Sequence, residues 1–133
     1  MKNIILFLFC FFSLALSAQQ VEDCQKFKDG LFVLKSERGT YFITRKGNRQ
    51  IEKYSYKKGQ IILEVEWIND CTYTLKLLKE KGKKSKTSFP KELVLTVEII
   101  ETNDNSYFQI TTANSIEMEV EAEMIKVESF DNY

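Results

Sequence analysis

The sequence predicts an all-β fold, a small antiparallel up-and-down barrel of about eight strands with one short N-terminal helical turn. Three observations predict it. Apolar and polar residues alternate in segment after segment, the period of a strand with one buried face. Turn-forming residues such as Gly47-Asn48 and Asn103-Asp104-Asn105 separate those segments at short intervals. No crossover helix or long amphipathic stretch interrupts the series. A meander of this length closes well into a barrel, which removes the edge strands that invite aggregation. A flattened two-sheet sandwich is the alternative arrangement.

Residues 1–18 read as a signal peptide rather than structure. Lys2 is the positive start, Ile4 to Leu16 the apolar run and Ser17-Ala18 a small-residue cleavage site. Cys10 lacks the small residues that a lipid-anchored leader places around its cysteine. Residues 19–133 then form a single β-barrel domain, exported to the periplasm or beyond the cell, without a transmembrane span and monomeric. Of 19 basic and 19 acidic residues in the whole chain, export removes Lys2 alone and leaves a net charge of −1. That balance gives no bulk attraction to nucleic acid or an anionic membrane. Cys24 and Cys71 are the cysteines left in an oxidising compartment, so a disulfide between them is expected. Two buried thiols that never meet are the alternative.

In chain order, Asp23 to Gly30 is a helical turn ended by glycine, with Phe27 plugging one end of the core. Strands follow over Leu31–Lys35, Thr40–Arg45 and Arg49–Tyr56, and Lys57-Lys58-Gly59 turns into a central hairpin. There Ile61, Leu63, Val65 and Trp67 share a face, as do Cys71, Tyr73, Leu75 and Leu77. Pairing the two apolar sets requires Trp67 opposite Tyr73, because a one-residue slip reverses every side chain. A three-residue turn over Asn69–Cys71, or a bulge, would achieve this with Asn69 or Asp70 in the left-handed conformation. Residues 79–88 are charged, lack any hydrophobic period and read as a solvated loop closed by Phe89-Pro90. Further strands run over Glu92–Glu101, Tyr107–Thr112 and from Ile116 to Met124. After Met124 the phase changes to Ile125 and Val127, which suggests a bulge or a strand leaving the sheet.

The chain contains no histidine. That excludes Ser-His-Asp and Cys-His catalysis, His-ligated zinc and imidazole switching. Two cysteines cannot build a thiolate metal cage, and no Gly-rich phosphate loop or Ca²⁺ loop is present. Neither an enzyme, a cofactor nor a metal site is expected. The candidate ligand-binding residues are Arg45, Gln50, Glu52, Tyr54, Trp67 and Tyr73. A two-residue Gly47-Asn48 turn sets Arg45 opposite Gln50, with Glu52 diagonal to Arg45 on the same face, close enough for a charged hydrogen bond. Tyr41, Tyr54 and Tyr56 share that face, a pattern fit to grip a polar head group. The competing reading is a cross-strand pair on the solvent face. Trp67 opposite Tyr73 lines either a cavity or a filled core. Glu117, Glu119, Glu121 and Glu123 read as the wet face of a strand.

The set Cys24-x-x-Phe27-Lys28-x-Gly30-x-Phe32, Thr44-Arg45, Gln50-x-Glu52 and Trp67-x-x-x-Cys71-x-Tyr73-x-Leu75 resembles a family of small exported Bacteroidetes proteins. The likeness spans most of the chain after residue 18 and implies export and a disulfide. Some members look like lipoproteins, which this leader does not. Some carry the label of a DNA topoisomerase IV subunit, but this sequence has no ATP-binding or DNA-cleavage motif, so that activity is not expected. Gly30-x-Phe32 is similar to the Gly-x-Trp of lipocalins, which implies a calycin-like barrel. The leading expectation is a non-catalytic exported module holding a small apolar ligand. The alternative is a filled-core module acting through contacts with an envelope protein, which the many large inward residues favour.

Overall fold

The computed structural model describes residues 23–82, 90 and 92–133. The leader and residues 83–88 of the lysine-rich stretch lie outside them. After a 3₁₀ turn over Gln25–Phe27 come eight strands: β1 (Gly30–Ser36), β2 (Gly39–Lys46), β3 (Arg49–Tyr54), β4 (Lys57–Asn69), β5 (Thr72–Lys81), β6 (Val94–Thr102), β7 (Ser106–Ala113) and β8 (Glu119–Val127). Each pairs antiparallel with the next, and β8 closes on β1 through Leu31–Val127 and Val33–Ile125. The up-and-down barrel is therefore the fold, and the sandwich is not.

Burial of the two apolar sets selects the register of the central hairpin. Trp67 lies opposite Tyr73, Val65 opposite Leu75 and Leu63 opposite Leu77. The turn itself differs from expectation. Asn69 pairs with Thr72, leaving a two-residue turn at Asp70-Cys71, and Ile68 is the extra residue that corrects the phase. Neither Asn69 nor Asp70 adopts positive φ. Instead Asn69 Oδ1 accepts a bond from the Cys71 N–H at 2.9 Å, a side-chain turn that removes the need for a left-handed residue. Register shifts also leave Leu78 and Ile100 as extra residues, and all three of these aliphatic side chains are exposed.

Other boundaries move for local reasons. The turn expected at Lys57–Gly59 falls at Ser55-Tyr56, because Ser55 is tied to β2: its N–H reaches Thr40 O and its Oγ accepts from the Thr40 N–H, each at 2.9 Å. Strand β5 runs on to Lys81, paired with Gln60, into the stretch read as loop. Ile116 precedes β8 and is exposed. There is no bulge after Met124, since the β7–β8 ladder runs unshifted from Thr112–Glu119 to Ser106–Ile125. The apolar outer face there has another cause. Phe130 folds back with its ring 5.3 Å from that of Phe42, beside fully buried Val33, so β1, β2 and β8 carry a small second core outside the barrel.

One end of the barrel is shut. Phe27 is fully buried under the 3₁₀ turn, with its ring 5.0 Å from that of Tyr107. A Cys24–Cys71 disulfide, with Cα atoms 5.3 Å apart, fixes the turn to the β4–β5 hairpin. Lys126 Nζ donates to Lys26 O at 2.6 Å, and the Gly47 N–H donates to Asp29 Oδ1 at 2.9 Å. Gly30, at φ +144°, lets β1 start beneath Lys126, where a Cβ would lie 2.7 Å from Lys126 Cε. The disulfide spans 47 residues, a loop whose closure stabilises a fold by about 4 kcal/mol in the chain-entropy model. Cys24→Ser/Cys71→Ser should lose about that much in guanidinium unfolding. An unchanged midpoint would show that the other plug contacts suffice.

Candidate functional site

The opposite half of the barrel is hollow. A cavity of about 810 Å³ opens between the β1–β2 turn and the start of β8, at the end away from the disulfide. Alternation on the strands gives it an aliphatic wall: Leu34, Ile43, Leu75, Leu95, Val97 and Met124. Gln50, Glu52, Tyr73 and Gln109 line it as well. These polar side chains belong to a network centred on Arg45, which lies beneath them.

Arg45 is 1% exposed. Its Nε donates to Gln50 Oε1 at 2.8 Å and its Nη1 to the Phe27 carbonyl at 2.9 Å. Its Nη2 reaches Tyr73 Oη at 2.9 Å and Tyr107 Oη at 3.2 Å. The guanidinium carbon lies 4.8 Å from the Phe32 ring centroid and 4.5 Å from that of Tyr73. A buried cation survives when its donors are used and aromatic faces flank it. Burial by itself works against the charge, yet Tyr73, Tyr107 and Glu52 leave the Arg45 pKa raised. Burial likewise pushes the Tyr73 phenol well above its ordinary value, so it remains a neutral hydroxyl that accepts from Arg45 and donates to Gln109 Oε1.

The expected direct bond between Arg45 and Glu52 does not form. Gln50 stands between them, accepting from Arg45 through Oε1 and donating to Glu52 Oε1 through Nε2 at 2.8 Å. The pairing of Arg45 with Gln50 and of Ile43 with Glu52 is as the short turn requires. The face is interior, however, and the solvent-side reading of this pair is set aside. Glu52 is half-buried at the cavity wall. Burial raises its carboxyl above the ordinary value of 4.5, against the weaker pulls of the Gln50 hydrogen bond and Arg45.

Trp67 and Tyr54 do not line the cavity. The Trp67 ring packs 4.6 Å from Tyr73 in the filled half, and Tyr54 packs edge-on against Tyr41 at 4.9 Å. The four glutamates of 117–123 are exposed, and Glu121 reaches the cavity mouth. Sequence reading missed Tyr107, Gln109 and the mouth residues Met118, Val120 and Ala122. The pattern of β7 held a pointer: Tyr107, Gln109 and Thr111 share a face, and a glutamine at an inward position signals a partner inside.

Arg45→Ala leaves four acceptors in the filled half without their donor and should destabilise the fold by about 3–5 kcal/mol. Unchanged unfolding would show that the network carries no stability. For Glu52 the sign follows from its raised folded pKa. The native state holds more protons than the unfolded one above 4.5, so stability present below that value is lost as pH rises through the folded pKa. Burial is the dominant influence on this carboxyl, with the Gln50 hydrogen bond from its own strand and Arg45 on β2 pulling the other way. Glu52→Gln removes the loss, so the variant should gain on the parent in melting temperature as pH rises above 4.5. A constant difference above that value refutes the assignment.

Comparison with known proteins gives no match to any family model, curated protein or solved structure, so functional inference rests on this site.

Proposed function

We propose that the protein is an exported, non-catalytic carrier that takes a small ligand, apolar along most of its length, into the hollow half of the barrel. The observation that carries this reading is the open cavity of about 810 Å³ with an aliphatic wall and a few polar groups. That volume and lining suit a small-molecule site. The disulfide fits an oxidising compartment, as the leader suggests. Outward Glu64, Glu66, Lys76 and Glu98 keep the outer wall wettable. A wholly filled core, as the protein-contact alternative supposes, describes the Arg45 half alone.

Native mass spectrometry of protein purified gently from its own cell envelope tests the proposal. A reproducible adduct released on denaturation supports it, and a bare chain counts against it. Ala122 lines the cavity wall and is half-buried, so a larger side chain there enters the hollow. Ala122→Trp should weaken binding of the neutral probe N-phenyl-1-naphthylamine by roughly tenfold or more while the melting temperature holds. Undiminished binding would place the probe elsewhere.

A further inference from the structure

We propose that the cavity selects amphiphiles with a cationic amine head, seated between the Glu52 carboxylate and the Tyr41 ring. This deepens the carrier reading and rests on it. Charged residues at the cavity fall into two groups. Lys35, Glu37, Arg38 and Glu121 are exposed at the mouth, where water screens them. Glu52 is the charged side chain that lines the interior wall. Its Oε1 already accepts from Gln50, and among the described residues no hydrogen bond reaches its Oε2.

Arg45 does not line the cavity, and its Nε, Nη1 and Nη2 are engaged by Gln50, Phe27, Tyr73 and Tyr107. An anionic head entering the hollow meets the Glu52 carboxylate first. It would have to dismantle the Gln50 or Tyr73 contacts to reach the guanidinium. An ammonium instead gives the half-buried carboxylate a direct ion pair and a second hydrogen bond. Tyr41 is a diagonal neighbour of Glu52 on the inner face of β2–β3 and lines the same cavity. Its ring is held edge-on by Tyr54 at 4.9 Å and Tyr56 at 6.0 Å. Aromatic faces favour a desolvated cation. An apolar tail then runs along Leu75, Leu95 and Val97.

Decylamine, decan-1-ol and decanoate, each below its micelle threshold, can be compared as displacers of N-phenyl-1-naphthylamine. The amine should bind about tenfold or more tightly than the alcohol, with decanoate weakest. In Glu52→Gln the amine should fall to the level of the alcohol, and Tyr41→Leu should weaken the amine more than the alcohol. Decanoate binding as well as the amine, or an amine preference that survives Glu52→Gln, overturns the proposal while leaving the carrier intact. If neither the probe nor any of the three compounds binds, the carrier reading falls and this inference falls with it.

Discussion

A guanidinium removed from water must find acceptors for its donors, and the position of Arg45 makes that demand at the centre of the molecule. Its acceptors come from four places far apart in the chain: the 3₁₀ turn at Phe27, β3 at Gln50, β5 at Tyr73 and β7 at Tyr107. A register slip in any of those strands would turn its acceptor away from the interior and leave a buried charge unpaired, at a cost of several kcal/mol. The cation therefore specifies the relative placement of strands that share no ladder. It also decides which end of the barrel is closed. The Phe27 carbonyl it holds belongs to the turn that the disulfide pins from the other side.

The division into a filled and a hollow half follows from side-chain volume. Eight strands enclose a space that large side chains just fill. Around Arg45 the inward positions carry Phe27, Phe32, Trp67, Tyr73 and Tyr107, which close that space completely. Beyond Glu52 they carry Leu34, Leu75, Leu95, Val97, Thr111 and Ala122, whose smaller volumes do not meet across the barrel. An apolar hollow of this kind lacks contacts on one side of every lining atom, which favours an occupant of matching character. The expectation from sequence that large inward residues fill the core holds for one half and fails for the other.

What the sequence made legible is what period-two patterning encodes. Strand order, barrel closure, the Trp67–Tyr73 register and the placing of Arg45 opposite Gln50 all follow from which face must be buried. Turn details were less legible. The Asp70-Cys71 turn is set by an Asn69 side chain and a bulge at Ile68, alternatives that satisfy the same register as a left-handed residue would. The apolar outer face at Ile125 and Val127 misled because the outer packing beside it, Phe130 on Phe42, joins residues far apart in the chain, which no strand period records. The sequence singles out Arg45, but its burial is not legible there. Cross-strand pairing identifies Gln50 as its neighbour, whereas Tyr73 and Tyr107 reach it across the barrel, a distance that no local pattern measures.

The interposed glutamine gives the network a direction. An amide can accept at one end and donate at the other, and Gln50 does so from Arg45 to Glu52. Flipping it would aim its NH₂ group at the Arg45 donors and its carbonyl at a carboxylate, so its two neighbours fix its orientation. Aligned hydrogen bonds of this sort polarise one another in a low dielectric. The positive end of the arrangement lies in the filled half, where every nitrogen of the guanidinium donates to the protein. The negative end lies at the hollow, where Glu52 lines the wall. Arginine and glutamate cancel in net charge, yet the cavity does not sense them equally, because interaction energy falls with distance and rises as water is excluded. The hollow borders Glu52 directly and Arg45 only through Gln50 and Tyr73, so a fold of nearly balanced charge gives this hollow an acidic wall.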